Sequence, residues 1–222
     1  MKSRLMQFLG ILALYAVVRS SAEFGNLSIQ MLVTGYNFED GKMSIPLLIF
    51  NSGLICIFLS MMNKTIVSAY SLRQYVAARA GNFGVSLYLV KAAFKEIAII
   101  IFYKQIIYGI AFCTSFTYSK FYLYDTLSTF LTLLVYGCLL IILIRRNVNS
   151  SIGFFLVIIV AILLQSFSYE YPFIHIFIIA TANWENSFLS MILFKILLIG
   201  ICVKAMIELD FENSMIGVKI ND

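Results

Sequence analysis

One histidine and four cysteines are nearly all the conventional catalytic equipment in this chain of 222 residues. A zinc-peptidase helix needs two histidines at HExxH spacing, and His175 stands alone. An intramembrane peptidase of the CAAX-processing kind needs paired glutamates and a histidine within its spans, whereas Glu96, Glu170 and Glu185 lie apart at or near span ends. Cys56, Cys113, Cys138 and Cys202 all fall within apolar runs, with none at CxxC spacing, as small buried hydrophobes do. Pairing His175 with Cys138 or Cys202 as a cysteine peptidase is open on spacing alone. His175, in an apolar run beside Pro172, reads better as a packed or interfacial side chain. No GxxxxGK[ST] phosphate loop is present, so nucleotide hydrolysis is not expected of this chain. The expectation is no catalytic residue, no metal site and no bound cofactor.

Chemistry of another kind is carried by ionisable residues inside apolar runs. Lys104 and Lys195 each lie about 10 Å along a candidate membrane helix from one of its ends. A lysine at that depth costs several kcal/mol unless it snorkels to the interface, meets water or finds an acid. Both are candidates to line a substrate pathway, together with Gln165. Asn51 and Ser166 are further polar candidates for contacts between helices.

The elements that must position these residues follow from composition. At 61% hydrophobic and 12% charged, the chain is far from the roughly 45–50% and 25% of a soluble domain. Bilayer is the solvent that suits it. The formal charge of +5 does not argue for nucleic acid, because the basic residues sit at the ends of apolar runs. Six spans are expected, at about 5–24, 45–62, 97–116, 126–144, 152–168 and 188–207, in a single all-α domain covering 1–222. The first is extended beyond Val18 to reach span length, which sets Arg19 and Glu23 one turn apart near its outer end.

With the amino terminus in the cytosol, Lys2, Arg4, Lys64, Arg73, Arg79, Lys91, Lys95, Arg145, Arg146 and Lys219 fall inside. Only Lys42 and Lys120 fall outside. Acids such as Asp40 and Asp125 lean outward. That bias sets both termini inside. The Lys-Ser-Arg start has no small-residue cleavage site after it, so the first span is expected to be retained.

Two outer segments depart from simple hairpins. Gly25–Ser44 has room for a surface helix around Leu27–Val33. Tyr169–Ser187 contains the apolar run Pro172–Ala180, about 13 Å as a helix and too short for a core of about 30 Å. A re-entrant or interfacial helix starting at Pro172 is expected, with Trp184 at headgroup depth.

On the inner side the segment 63–96 is helix-prone and basic, with Lys64, Arg73, Arg79, Lys91 and Lys95 against one acid, Glu96. Helical spacing of Ile66, Val67, Tyr70 and Gln74, then of Tyr75, Ala78 and Arg79, predicts a helix over Ile66–Asn82. Gly81 is placed to end it at φ > 0. A second helix, Val85–Glu96, lies at the membrane surface and leads straight into the third span. Such a segment either rests on anionic lipid or docks a cytosolic partner.

The run Tyr70-Ser-Leu-Arg73-Gln-Tyr75-Val-Ala-Ala-Arg79-Ala-Gly81-Asn82, followed by a Lys91-bearing helix into the third span, resembles the coupling-helix region of short permease subunits of bacterial ABC exporters. The resemblance extends over the whole chain in topology, though its sequence motif is confined to this loop. It implies a multi-pass protein of the bacterial plasma membrane. A separate cytosolic ATP-binding subunit, carrying ATP and magnesium, would dock under the loop, and two permease chains, identical or not, would form the path. On that resemblance Tyr70, Arg73, Tyr75, Arg79 and Lys91 belong to partner coupling. The cargo expected is a peptide of bacteriocin or toxin type, or an amphipathic molecule. Rival readings are a membrane enzyme that cleaves or modifies a peptide, and a non-catalytic immunity or assembly protein.

Overall fold

A computed structural model describes residues 2–20, 45–115, 121–167 and 184–219. Every regular element among them is helical: α1 Lys2–Ser20, α2 Ile45–Tyr70, α3 Arg73–Ser115, α4 Phe121–Arg145, α5 Ser150–Phe167 and α6 Trp184–Lys219. Four stretches of these residues are long and apolar enough to cross a membrane: Ser52–Tyr70, Leu123–Arg145, Ser150–Phe167 and Leu189–Phe211. The expected outer helices at Leu27–Val33 and Pro172–Ala180, with His175, lie outside the described residues.

α2, α3 and α4 pack on one another as the centre of the bundle; α1 leans on α2, α5 on α2 and α4, and α6 on α4 and α3. Ile55, Leu59, Met62 and Ile66 of α2 meet Leu89, Ala93, Ile97 and Ile100 of α3 in a continuous core, closed by Leu133, Tyr136 and Ile141 of α4. In the α2 and α3 sets the spacing of three and four residues is that of one helix face.

The outer helices bury far less. On α5 the buried residues are Gly153, Val157, Ala161 and Gln165, one per turn, while Phe155, Ile159 and Leu163 on the other faces are exposed. α6 likewise exposes Leu193, Leu197 and Ile201. Apolar area on this scale has no place in water and every place in lipid. The small-residue stripe of α5 lets it approach closely, which is how helices associate where lipid and leucine are equally apolar.

Three expectations about register change. The helix of the second span does not stop at Met62: α2 runs on through Asn63, Lys64 and Thr65 to Tyr70, because Ile66 and Ala69 continue its buried face while Lys64 is exposed. The single helix expected over Ile66–Asn82 is broken at Ser71–Leu72. There Ser71 N–H donates to Val67 O at 3.1 Å, and Leu72 N–H donates to Ala69 O at 3.1 Å in a tighter turn. Val85–Glu96 is not a separate surface helix but the lower half of α3, standing in the bundle with Val85, Leu89 and Ala93 buried.

Gly81, at φ 68° and ψ −179°, kinks α3 where the sequence placed a positive φ. Three residues on, a Cβ added at Gly84 would lie 2.4 Å from Ala80 Cβ, so the bend also needs glycine there. Arg73–Ala80 is thereby set off as a short helical elbow between two breaks. At the end of α4, Arg146–Asn149 turns the chain tightly into α5. Asn147 takes φ 58°, and Asn149 Oδ1 caps the new helix by accepting from Ser151 N–H at 2.9 Å.

Candidate functional site

Polar side chains converge at three places in the bundle. The first joins α3, α4 and α6. Lys104 Nζ lies 2.5 Å from Asp125 Oδ2 and donates to Thr129 Oγ1 at 2.6 Å. Lys195 Nζ donates to Ser128 Oγ at 2.6 Å and is within electrostatic reach of both Asp125 and Lys104. Asp125, Ser128 and Lys195 have no exposed surface and Lys104 is buried. Two lysines thus stand about one carboxylate, Lys104 paired with it directly and Lys195 beside it on Ser128. α4 makes this possible by carrying Asp125, Ser128, Thr129 and Thr132 at i, i+3, i+4 and i+7 on one face of an otherwise apolar helix.

The pairing corrects the vertical placement of the third and fourth spans. Lys104 was expected low in the third and Asp125 beyond the outer end of the fourth, yet they meet. Span ends drawn from hydropathy float by several residues, whereas an ion pair pins the register. At the other end of the same pair of helices, Arg145 of α4 bonds Ser86 of α3 and Asp210 of α6. Ser86 Oγ donates to Asp210 Oδ1 at 3.0 Å. From Ser86 to Lys104 is about 27 Å of helix and from Asp125 to Arg145 about 30 Å. Two ionic clamps therefore tie α3, α4 and α6 together about a hydrocarbon thickness apart.

The third convergence lies between α1, α2 and α3. Arg4 donates to Glu96 Oε2 at 3.0 Å and Thr65 Oγ1 donates to the same oxygen at 2.9 Å. These residues line a cavity of about 620 Å³ whose wall also carries Lys64, Lys91 and Lys95.

No family model, no curated protein and no solved structure matches this chain. Any functional reading therefore rests on these residues and on the sequence motif.

Of the residues singled out by sequence, Tyr70, Arg73, Tyr75 and Arg79 gather at the elbow. The Arg73 guanidinium carbon lies 4.3 Å from the centre of the Tyr70 ring, and that of Arg79 lies 4.3 Å from the Tyr75 ring. Tyr75 is 58% exposed, with Leu72 and both arginines exposed beside it. At that distance each guanidinium is attracted to the face of its ring. Lys91 does not join this group; it stands further along α3 on the cavity wall. Lys104 and Lys195, singled out separately, come together around Asp125. Gln165 is buried at the end of the inward stripe of α5. Ser166 is exposed and returns its hydroxyl to Ile162 O at 2.9 Å, a bond within its own helix.

Cys138 and Cys202 are buried, Cys56 is half-buried, and all three are free thiols. Residues missed by the sequence reading are Asp125 and Arg145, counted there only as charges outside and inside, and Asp210, Ser128 and Ser86. The i, i+3, i+4 polar stripe of α4 was the signal for two of them.

Proposed function

We propose that this chain is the membrane-spanning permease subunit of an ATP-driven ABC exporter, with six spans, both termini in the cytosol and an ATP-hydrolysing partner beneath the elbow. The single observation that supports the reading best is the elbow itself. Leu72–Ala80 carries exposed Tyr75, Arg73 and Arg79 between a turn and a glycine kink, and α3 continues from the kink without interruption to Lys104. Aromatic and arginine side chains are the residues that dominate protein interfaces. A push on the elbow would travel along a stiff helix to the buried charges, whereas a flexible linker would absorb it.

In this account, closure of the ATP-binding subunits tilts α3, and the Lys104–Asp125–Lys195 cluster changes its exposure between the two sides. A second copy, or a related chain, would cover part of the exposed apolar surface of α5 and α6 and complete the path. A cargo peptide with a carboxylate would meet two lysine amines as donors beside one aspartate.

The test separates docking from lipid anchoring. Arg79→Glu would leave a charge opposed in a partly desolvated contact and cost a few kcal/mol of binding. Tyr75→Ala would remove an aromatic anchor. Both are expected to lower co-purification of an ATP-binding subunit at least tenfold, with normal insertion. A surface held only by summed charge, at about 1 kcal/mol per basic residue, would barely notice Tyr75→Ala. Intact partner binding in both variants would overturn the reading.

A further inference from the structure

Among the described residues, four basic side chains surround the cavity between α1, α2 and α3: Arg4, Lys64, Lys91 and Lys95, with Glu96 the one acid on its wall. Glu96 is already engaged by Arg4 and Thr65, so its charge is matched locally. The lysines are exposed at the rim. At about 620 Å³ the cavity has the size of a small-molecule site.

A second hollow of about 440 Å³ lies along the α1–α2 seam, lined by Met6, Gly10, Cys56, Ile57 and Ser60. Gln7 lines both, so the two adjoin at that side chain. From Ser68 in the basic cavity to Cys56 in the apolar hollow α2 advances about 18 Å. Leu5, Met6 and Leu9 of α1 are exposed beside it, which leaves its flank apolar. A polar, basic chamber beside an apolar groove has the shape of a headgroup followed by a chain.

We propose that this composite cavity is a binding site for an anionic phospholipid, the phosphate held by Lys64, Lys91 and Lys95, and one acyl chain laid along Gly10 and Ile57. The inference does not depend on an ATP-binding partner. Basic pockets between membrane helices are where anionic headgroups are taken up. The apolar hollow is what distinguishes a lipid from free phosphate, which would have no use for it.

Retention of lipid by the purified full chain tests this, with native mass spectrometry after incubation with phosphatidylglycerol or phosphatidylcholine. Phosphatidylglycerol should be retained preferentially. Lys91→Gln together with Lys95→Gln should weaken that retention about 25-fold. Lys204→Gln, on the exposed face of α6, should leave it unchanged. Gly10→Leu, filling the apolar hollow, should also displace the lipid. Gly10→Ala should not, since an added Cβ meets only Ile57 Cδ1, at 4.0 Å. Equal retention of the two lipids, or equal loss from Lys204→Gln, would overturn the site in favour of general surface attraction. Binding that survives Gly10→Leu and is competed by inorganic phosphate would overturn the lipid and assign a free anion.

Discussion

Asp125 is the residue on which the most charge depends. Lys104 is paired with it at 2.5 Å, and Lys195 of α6, bonded to Ser128, lies within reach of its charge. Removing one partner of a buried ion pair costs about 3–5 kcal/mol, because the other is left uncompensated. Asp125→Asn strands two lysines, whereas Lys104→Met leaves Asp125 with Lys195. Thermal unfolding in detergent should therefore show a larger drop for Asp125→Asn than for Lys104→Met. The opposite order would mean that Lys195 does not share the carboxylate. Lys104 and Lys195 were legible in the sequence as ionisable residues at depth, since few other charges sit well inside an apolar run. Their common partner was not. Asp125 lies near the start of an apolar run, where an acid looks like a loop residue until a neighbouring helix fixes the depth. Arg145 was likewise read as an orientation charge, and it does stand at a helix end while also clamping Asp210 and Ser86.

At the scale of the element, the kink in α3 decides where the elbow points. Gly81 at φ 68° and ψ −179° is in a region open to glycine and almost no other residue. Gly81→Ala should cost about 1–3 kcal/mol or straighten the helix. Asparagine, which tolerates the left-handed helical region, should not rescue it, because ψ here is far from that region. Spin labels at positions 75 and 91 should move apart in both variants. An unchanged separation in Gly81→Asn would show that the bend is imposed by packing and not by glycine. Local signals served the sequence reading well here: Gly81 marked a break, and the continuity of Val85–Glu96 with the third span was evident. The boundary at Ser71–Leu72 was missed because the helical spacing of Ile66, Val67, Tyr70 and Gln74 runs across it. What ends α2 is a tighter hydrogen bond at Leu72, which no residue type announces.

The described residues form an all-helical bundle with four stretches long and apolar enough to span a membrane, and helices α5 and α6 whose outward faces are apolar and exposed. Composition made that legible at once. Span depth was not, because hydropathy windows slide freely along a 43-residue helix such as α3 until Lys104 and Ser86 are paired across to α4 and α6. The basic end of the bundle gathers the elbow, the basic cavity and the Arg145 clamp, and the proposed function requires that end to face the compartment that holds ATP. A cysteine placed at Asn82, in a background lacking the four native cysteines, reports this directly through an impermeant thiol reagent on intact cells. The account predicts that Asn82→Cys resists the reagent until the cells are opened, while Asp40→Cys reacts at once. Labelling of Asn82→Cys in intact cells, with Asp40→Cys protected, would contradict it.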